Sequence, residues 1–133
     1  MTLGVRAFVR NAEGQVLLIR HTYTPGWYLP GGGIEKGETA IYSLERELEE
    51  EAGILMKGEP RLFGFYANHK NFPNDHVAVY IVEDWEQGVT TSVGEIAEAG
   101  FFAPDQLPED TTSGTRARIL EIVSNHPPAR DWV

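Results

Sequence analysis

Three glutamates set the strongest constraint on this chain. Glu47, Glu50 and Glu51 stand at i, i+3 and i+4 of a helical pattern, so their carboxylates share one helix face. Thr39 is placed to cap the N-terminus, Ile41, Leu44 and Leu48 form an apolar stripe, and Gly53 can close the C-terminus in the left-handed conformation. The expected helix is therefore Thr39–Ala52. Each exposed like-charge pair on it costs ~0.2–0.5 kcal/mol, and near the C-terminus the helix dipole adds to the penalty. Stability alone does not favour such an arrangement, whereas a divalent cation held by carboxylate oxygens reverses its sign. The competing reading is a solvated acidic face. That reading accounts for Glu45 and Glu49, but not for the glycine loop Gly31–Gly37 that runs straight into the helix.

The acid is concentrated here. Residues 32–54 carry seven Glu against one Lys and one Arg, a local charge of -5 out of a total of -9. A net acidic chain is a poor general binder of DNA or of an anionic membrane surface. It can still take phosphate substrates when a divalent cation lies between acid and phosphate. The length of 133 residues, with 41% hydrophobic and 23% charged residues, is that of one globular domain over residues 1–133. With no cysteine in the chain, disulfides, zinc-thiolate sites and cysteine nucleophiles are excluded, and the cytoplasm is the default compartment. The first residues, MTLGVRAFVRNAEG, lack a signal-peptide apolar core, and no apolar run is long enough for a membrane helix. The sequence leaves homodimerisation open.

Leu3–Arg10 alternates as a half-buried strand, Asn11-Ala12-Glu13-Gly14 reads as a turn and Gln15–Arg20 as a second strand, together a hairpin. Trp27-Tyr28-Leu29 reads as a short strand stopped by Pro30-Gly31-Gly32-Gly33. Arg61–Asn68, His76–Glu83 and Ala99–Ala103 read as further strands. Thr115–Asn125 reads as a second helix with Ile119, Ile122 and Val123 inward, ended by Pro127-Pro128 and followed by a fraying tail. The order of strands, helix, strands, helix predicts an α+β fold, a mixed sheet sandwiched between helices.

The acidic helix then matches a known pattern. Gly32, five residues, Glu38, seven residues, and Arg46-Glu47-Leu48-Glu49-Glu50-Glu51-Ala52-Gly53-Ile54 resemble the Nudix box of the MutT/Nudix hydrolases, G-x5-E-x7-R-E-U-x-E-E-x-G-U with U aliphatic. Every specified position matches. The resemblance implies the Nudix fold and a single Nudix domain. It also implies hydrolysis of a nucleoside diphosphate linked to another group, water attacking a pyrophosphate phosphorus with the help of Mg²⁺ or Mn²⁺. Glu47, Glu50 and Glu51 would be metal ligands converging on one point. Arg46 would hold the carboxylates in position, Gly31 and Gly32 would bring backbone close to metal or phosphate, Gly37 and Gly53 would be conformational, and Glu38 structural.

Glu95-Ile96-Ala97-Glu98-Ala99-Gly100-Phe101-Phe102 resembles the E-I-x-E-x-x-W-F stretch common after the family's later loop. Glu95 is the first candidate for an extra metal ligand or general base, Glu98 the second, and Glu50 a base within the box. On the substrate side, Arg6 and Arg20 are candidates for phosphate contacts, and Trp27, Tyr23 and Phe72 for stacking on a base. His21, His69 and His76 lack metal-ligand spacing. The family's ADP-ribose marker, a proline, is replaced by His69, and the dinucleoside polyphosphate tyrosine by Lys70, Asn71 and Phe72. A Nudix domain serving as a catalytically silent nucleotide sensor is the alternative, although such domains usually lose box glutamates that this chain retains. An isoprenoid-diphosphate isomerase needs a cysteine that is absent.

Overall fold

The computed structural model describes residues 1–90 and 94–133. Its elements are β1 (Thr2–Val9), β2 (Val16–His21), β3 (Trp27–Tyr28), β4 (Gly31–Gly33), α1 (Ala40–Ala52), β5 (Ile54–Met56), β6 (Arg61–Ala67), β7 (Asp75–Val82), β8 (Trp85–Gln87), β9 (Ile96–Phe102) and α2 (Ser113–Val123). A four-stranded sheet has the order β4-β1-β7-β6. Within it β1 and β7 are parallel while the outer pairs are antiparallel, so the sheet is mixed as expected. An antiparallel sheet β3-β2-β9 and a ribbon β5-β8 complete the fold.

The period-two alternation of the strands puts the helices on opposite faces. Val77, Val79 and Ile81 of β7 pack with Phe8, Leu18 and, from α2, Ile119 and Ile122. Ala78 and Val82 point the other way and pack with Val5, Ala7, Val9 and, from α1, Leu44 and Leu48. Leu44 and Leu48 are fully buried, each stabilising the helix dock by about 1.5–3 kcal/mol. The α1 caps are those read from sequence: the Thr39 hydroxyl accepts the Tyr42 N–H, and Gly53 is left-handed at φ 68°.

Several expectations are corrected. β1 and β2 do not form a hairpin, because both edges of β1 are already paired to β4 and β7, and only a bridge joins Arg10 to Val16. The turn itself is real, with Asn11 Oδ1 accepting the Gln15 N–H at 2.8 Å. Ile41 and Val123 are solvent-exposed, not on the inward stripes, and α2 starts at Ser113 rather than Thr115. The tail does not fray. The Ala67 N–H donates to the Arg130 carbonyl at 2.8 Å, and the Trp132 N–H to the Ala67 carbonyl at 2.9 Å. Arg118 Nη1 donates to the Trp132 carbonyl at 2.7 Å.

Candidate active site

β4 lies along β1, with Arg6 opposite Gly31 and Val5 opposite Gly32, and α1 packs against it. Gly31 has φ 151°, in the region that favours glycine. A Cβ on Gly32 would collide with Glu47 Oε2, so the absence of a side chain lets the carboxylate sit on the backbone. One turn later along α1, Glu51 Oε1 accepts the Gly31 N–H at 2.8 Å. Two acids of the helix therefore meet the two glycines that the sequence singled out.

Arg46 ties the third acid and a fourth. Its Nε and Nη2 donate to the two oxygens of Glu38 at 2.8 and 3.0 Å, and its Nη1 to Glu47 at 3.3 Å and Glu50 at 3.4 Å. Glu38 also accepts the Ser43 hydroxyl at 2.6 Å and the Glu35 N–H at 3.1 Å. The forked pair with Glu38 is shorter than the i, i+4 contact with Glu50, and a bidentate fork of this kind is the stronger geometry. Glu38 is thus a clamp on the arginine, a role the loop preceding the helix gave no periodicity to reveal.

The electrostatics divide the acids. The Arg46 fork and the Ser43 hydroxyl pull the Glu38 carboxyl down to about 2. Burial, reinforced by the Glu47 charge, pushes the Glu51 carboxyl up to about 8. Burial raises Glu47 as well, against the opposing pull of Arg46. Glu51 and Glu47 are thus oxygen donors short of positive charge, the donor chemistry that a hard divalent cation satisfies. Arg46 Nη1 lies between Glu47 and Glu50 and bonds both, and among the described residues no three His, Asp or Glu side chains are grouped as a preformed metal site.

The outer candidates separate. Arg6 Nη1 donates to the Leu29 carbonyl at 2.8 Å, and its charge acts on both Glu47 and Glu51. It also lines a groove with Gly4, Gly32 and Gly33. Arg20 pairs with Glu98 at 2.6 Å and is absent from that lining. Trp27 is a core residue, packed edge-on to Phe102 at 5.1 Å, and so offers no face for stacking. Tyr23 and Phe72 are exposed. Glu95 lies on an exposed turn whose backbone is held by Thr22, with N–H to the Glu95 carbonyl at 3.0 Å and hydroxyl to the Gly94 carbonyl at 2.7 Å. His21 packs against Tyr23 and Tyr28, its pKa lowered by burial and by Arg6. His69 faces Asp131 at 3.8 Å and His76 stacks on Phe65 at 5.3 Å. Beyond Arg6 the groove takes in Tyr28, Asn68, Thr115 and Trp132. These residues carried no sequence signal, since they come from four separated segments.

The NUDIX domain model matches residues 1–121. The chain is 28% identical to a "MutT-like protein" of Streptomyces ambofaciens, over 96% of this chain and 80% of that protein. It is 37% identical to the "NAD-capped RNA hydrolase NudC" of Haemophilus influenzae over 80% of this chain, and spans only 41% of that protein's length. The crystal structure of an ADP-ribose pyrophosphatase from Streptococcus suis superposes with a TM-score of 0.75 at 26% identity, covering 98% of both chains. Fold, box and comparisons agree: the chain belongs to the Nudix hydrolase family.

Proposed function

We propose that this chain, acting as one Nudix domain over residues 1–133, hydrolyses the pyrophosphate bond of a nucleoside diphosphate linked to another group, by attack of water at phosphorus. The observation that carries the reading is the seating of Glu47 and Glu51 against Gly31 and Gly32. Two desolvated carboxylates stand where backbone and Arg6 can meet an anionic substrate. The similarity to an ADP-ribose pyrophosphatase and to an NAD-capped RNA hydrolase supports the same reaction class.

Glu47, Glu50 and Glu51 would hold Mg²⁺ or Mn²⁺. Such an ion, when bound, neutralises pyrophosphate charge and acidifies a coordinated water. Arg46, braced on Glu38, orients Glu47 and Glu50. The Gly31-Gly32 backbone admits a phosphate close to the helix, and the Arg6 guanidinium offsets its charge. Glu95, exposed beside the start of β9, is the proposed base that takes the proton from the attacking water. The cysteine-free composition suits a cytoplasmic setting.

The test is a substrate panel of nucleoside triphosphates, ADP-ribose, nucleotide sugars, dinucleoside polyphosphates and capped RNA. Each is assayed with Mg²⁺, with Mn²⁺ and with chelator. Metal-dependent cleavage of at least one of them supports the reading, and none across the panel overturns it.

A further inference from the structure

The last turn of α1 carries Glu50 and Glu51, and a helix end leaves its final carbonyls without partners inside the helix. That turn holds no basic residue to offset them. The chain turns left-handed at Gly53 and leaves as β5, which pairs antiparallel with β8, Ile54 opposite Gln87 and Met56 opposite Trp85. β8 therefore returns to the point where the helix ends.

It brings a pair of neutral donors there. Gln87 Nε2 donates to the Ala52 carbonyl at 2.9 Å, and the Thr90 hydroxyl donates to the Glu50 carbonyl at 2.8 Å. Between them the Gly88 N–H donates to the Gly53 carbonyl at 2.6 Å. A Cβ on Gly53 would collide with the backbone of Gly88, Val89 and Thr90. The glycine thus ends the helix and also admits the segment that covers its end. The ribbon supporting these donors is fixed in turn. Trp85 Nε1 donates to the Arg10 carbonyl at 2.9 Å, and its ring stacks on Phe101 at 5.4 Å.

The link to the site is short. Glu51 follows Glu50, and its carboxylate holds the Gly31 N–H at 2.8 Å. Like charges on one face and the helix dipole both favour opening of this turn, and an opened turn takes the carboxylate off Gly31. Neutral donors tie the carbonyls down. A lysine or arginine in their place would add a positive charge that competes with a metal ion for the same acids.

We propose that Gln87 and Thr90 are positioning residues that clamp the last turn of α1 and so keep Glu51 seated on Gly31, ready for a divalent cation. The cation rests on the metal-dependent reading given above, whereas the clamp on Glu51 is tested without metal.

The experiment compares Thr90→Val, Gln87→Leu and Thr90→Ser with wild type, all on the full chain. Amide exchange is followed by NMR in chelator, where the Gly31 amide reports local opening at the Glu51 seat. The Ala7 N–H, which donates to the Pro30 carbonyl at 2.9 Å, reports the neighbouring strand. Mg²⁺ affinity is measured by calorimetry. Thr90→Val and Gln87→Leu are expected to speed Gly31 exchange and weaken Mg²⁺ binding by ~10-fold each, the scale for losing an outer partner of metal ligands, with Ala7 exchange unchanged. Thr90→Ser keeps the hydroxyl and should match wild type in both. If Gln87→Leu fails to fold by circular dichroism, the two Thr90 variants decide. Unchanged Gly31 exchange in Thr90→Val, equal acceleration of Gly31 and Ala7, or a Thr90→Ser protein as impaired as Thr90→Val overturns the proposal. So does unchanged Mg²⁺ affinity in variants whose Gly31 exchange has sped up. A wild type that binds no Mg²⁺, with Gly31 exchange responding as stated, would leave the clamp standing and remove the metal reading.

Discussion

Arg46 grips Glu38 with two parallel hydrogen bonds, Nε to Oε2 at 2.8 Å and Nη2 to Oε1 at 3.0 Å, and only then reaches toward Glu47 and Glu50. The first acid of the box therefore acts through the arginine. It fixes a guanidinium that would otherwise be free to neutralise the helix carboxylates in several geometries.

Glu38→Gln removes the charge but keeps the shape, and Arg46→Lys keeps the charge but loses the fork. Both should lower kcat/KM by roughly 10- to 100-fold, the usual cost of losing a partner that orients metal ligands. A change of less than twofold in steady-state assays would show that the fork does not position the site.

The depressed Glu38 carboxyl gives a pH signature. Its folded pKa lies below its unfolded value, so its stabilising contribution is present above about 4.5 and disappears as pH falls through about 2. The difference in thermal midpoint between wild type and Glu38→Gln should accordingly shrink from pH 5 to pH 2. A constant difference over that range would contradict the pairing.

Glu51 has the opposite sign. Its folded pKa is raised from 4.5 to about 8, so the folded state holds the proton more tightly, and the associated stability, full below pH 4.5, is lost as pH rises through about 8. In chelator at pH 8, Glu51→Gln should melt higher than wild type by on the order of 5 °C, and Mg²⁺ should raise only the wild type. Equal midpoints at pH 8 in chelator would count against a buried, uncompensated carboxylate.

Gly32→Ala tests the close approach. The added Cβ collides with Glu47, so the carboxylate must swing off the backbone. Mg²⁺ affinity by calorimetry should fall at least ~10-fold while the far-ultraviolet spectrum stays native. Unchanged affinity would mean that Glu47 binds metal from another position or not at all.

Glu95→Gln should lower kcat by ~10²-fold or more, as for loss of a general base, with substrate affinity little changed. Glu98→Gln should be milder, since Glu98 is already paired with Arg20. If Glu95→Gln is nearly silent and Glu50→Gln abolishes turnover while metal still binds, the base belongs to α1.

What the sequence carried was local. The alternation of β1, the caps of α1 and the box spacing are each written within a few residues, and each is present in the fold. What it lacked was partner choice. The Asn11–Gly14 turn looked like a hairpin because nothing near it shows that β1 is flanked by β4 and β7. β4 is three glycines with no side chains to alternate, so it looked like a stop. Trp132 sits past Pro127-Pro128, where a tail is expected to fray, and only its contacts with Ala67 and Arg118, distant in sequence, hold it. Trp27 shows the converse: an aromatic beside a glycine loop resembled a stacking residue but is core.

Glu51, seated on Gly31, is proposed to belong to a metal-dependent pyrophosphate-cleaving site. The most direct test pairs calorimetric Mg²⁺ titration with phosphate release from the best panel substrate, for wild type and Glu51→Gln side by side. Wild type should bind Mg²⁺ and turn over only with it. In the variant, metal affinity and turnover should fall together by ~10²-fold or more, with the fold intact. Wild-type turnover that persists in chelator, or a Glu51→Gln enzyme that binds Mg²⁺ and turns over like wild type, would contradict it.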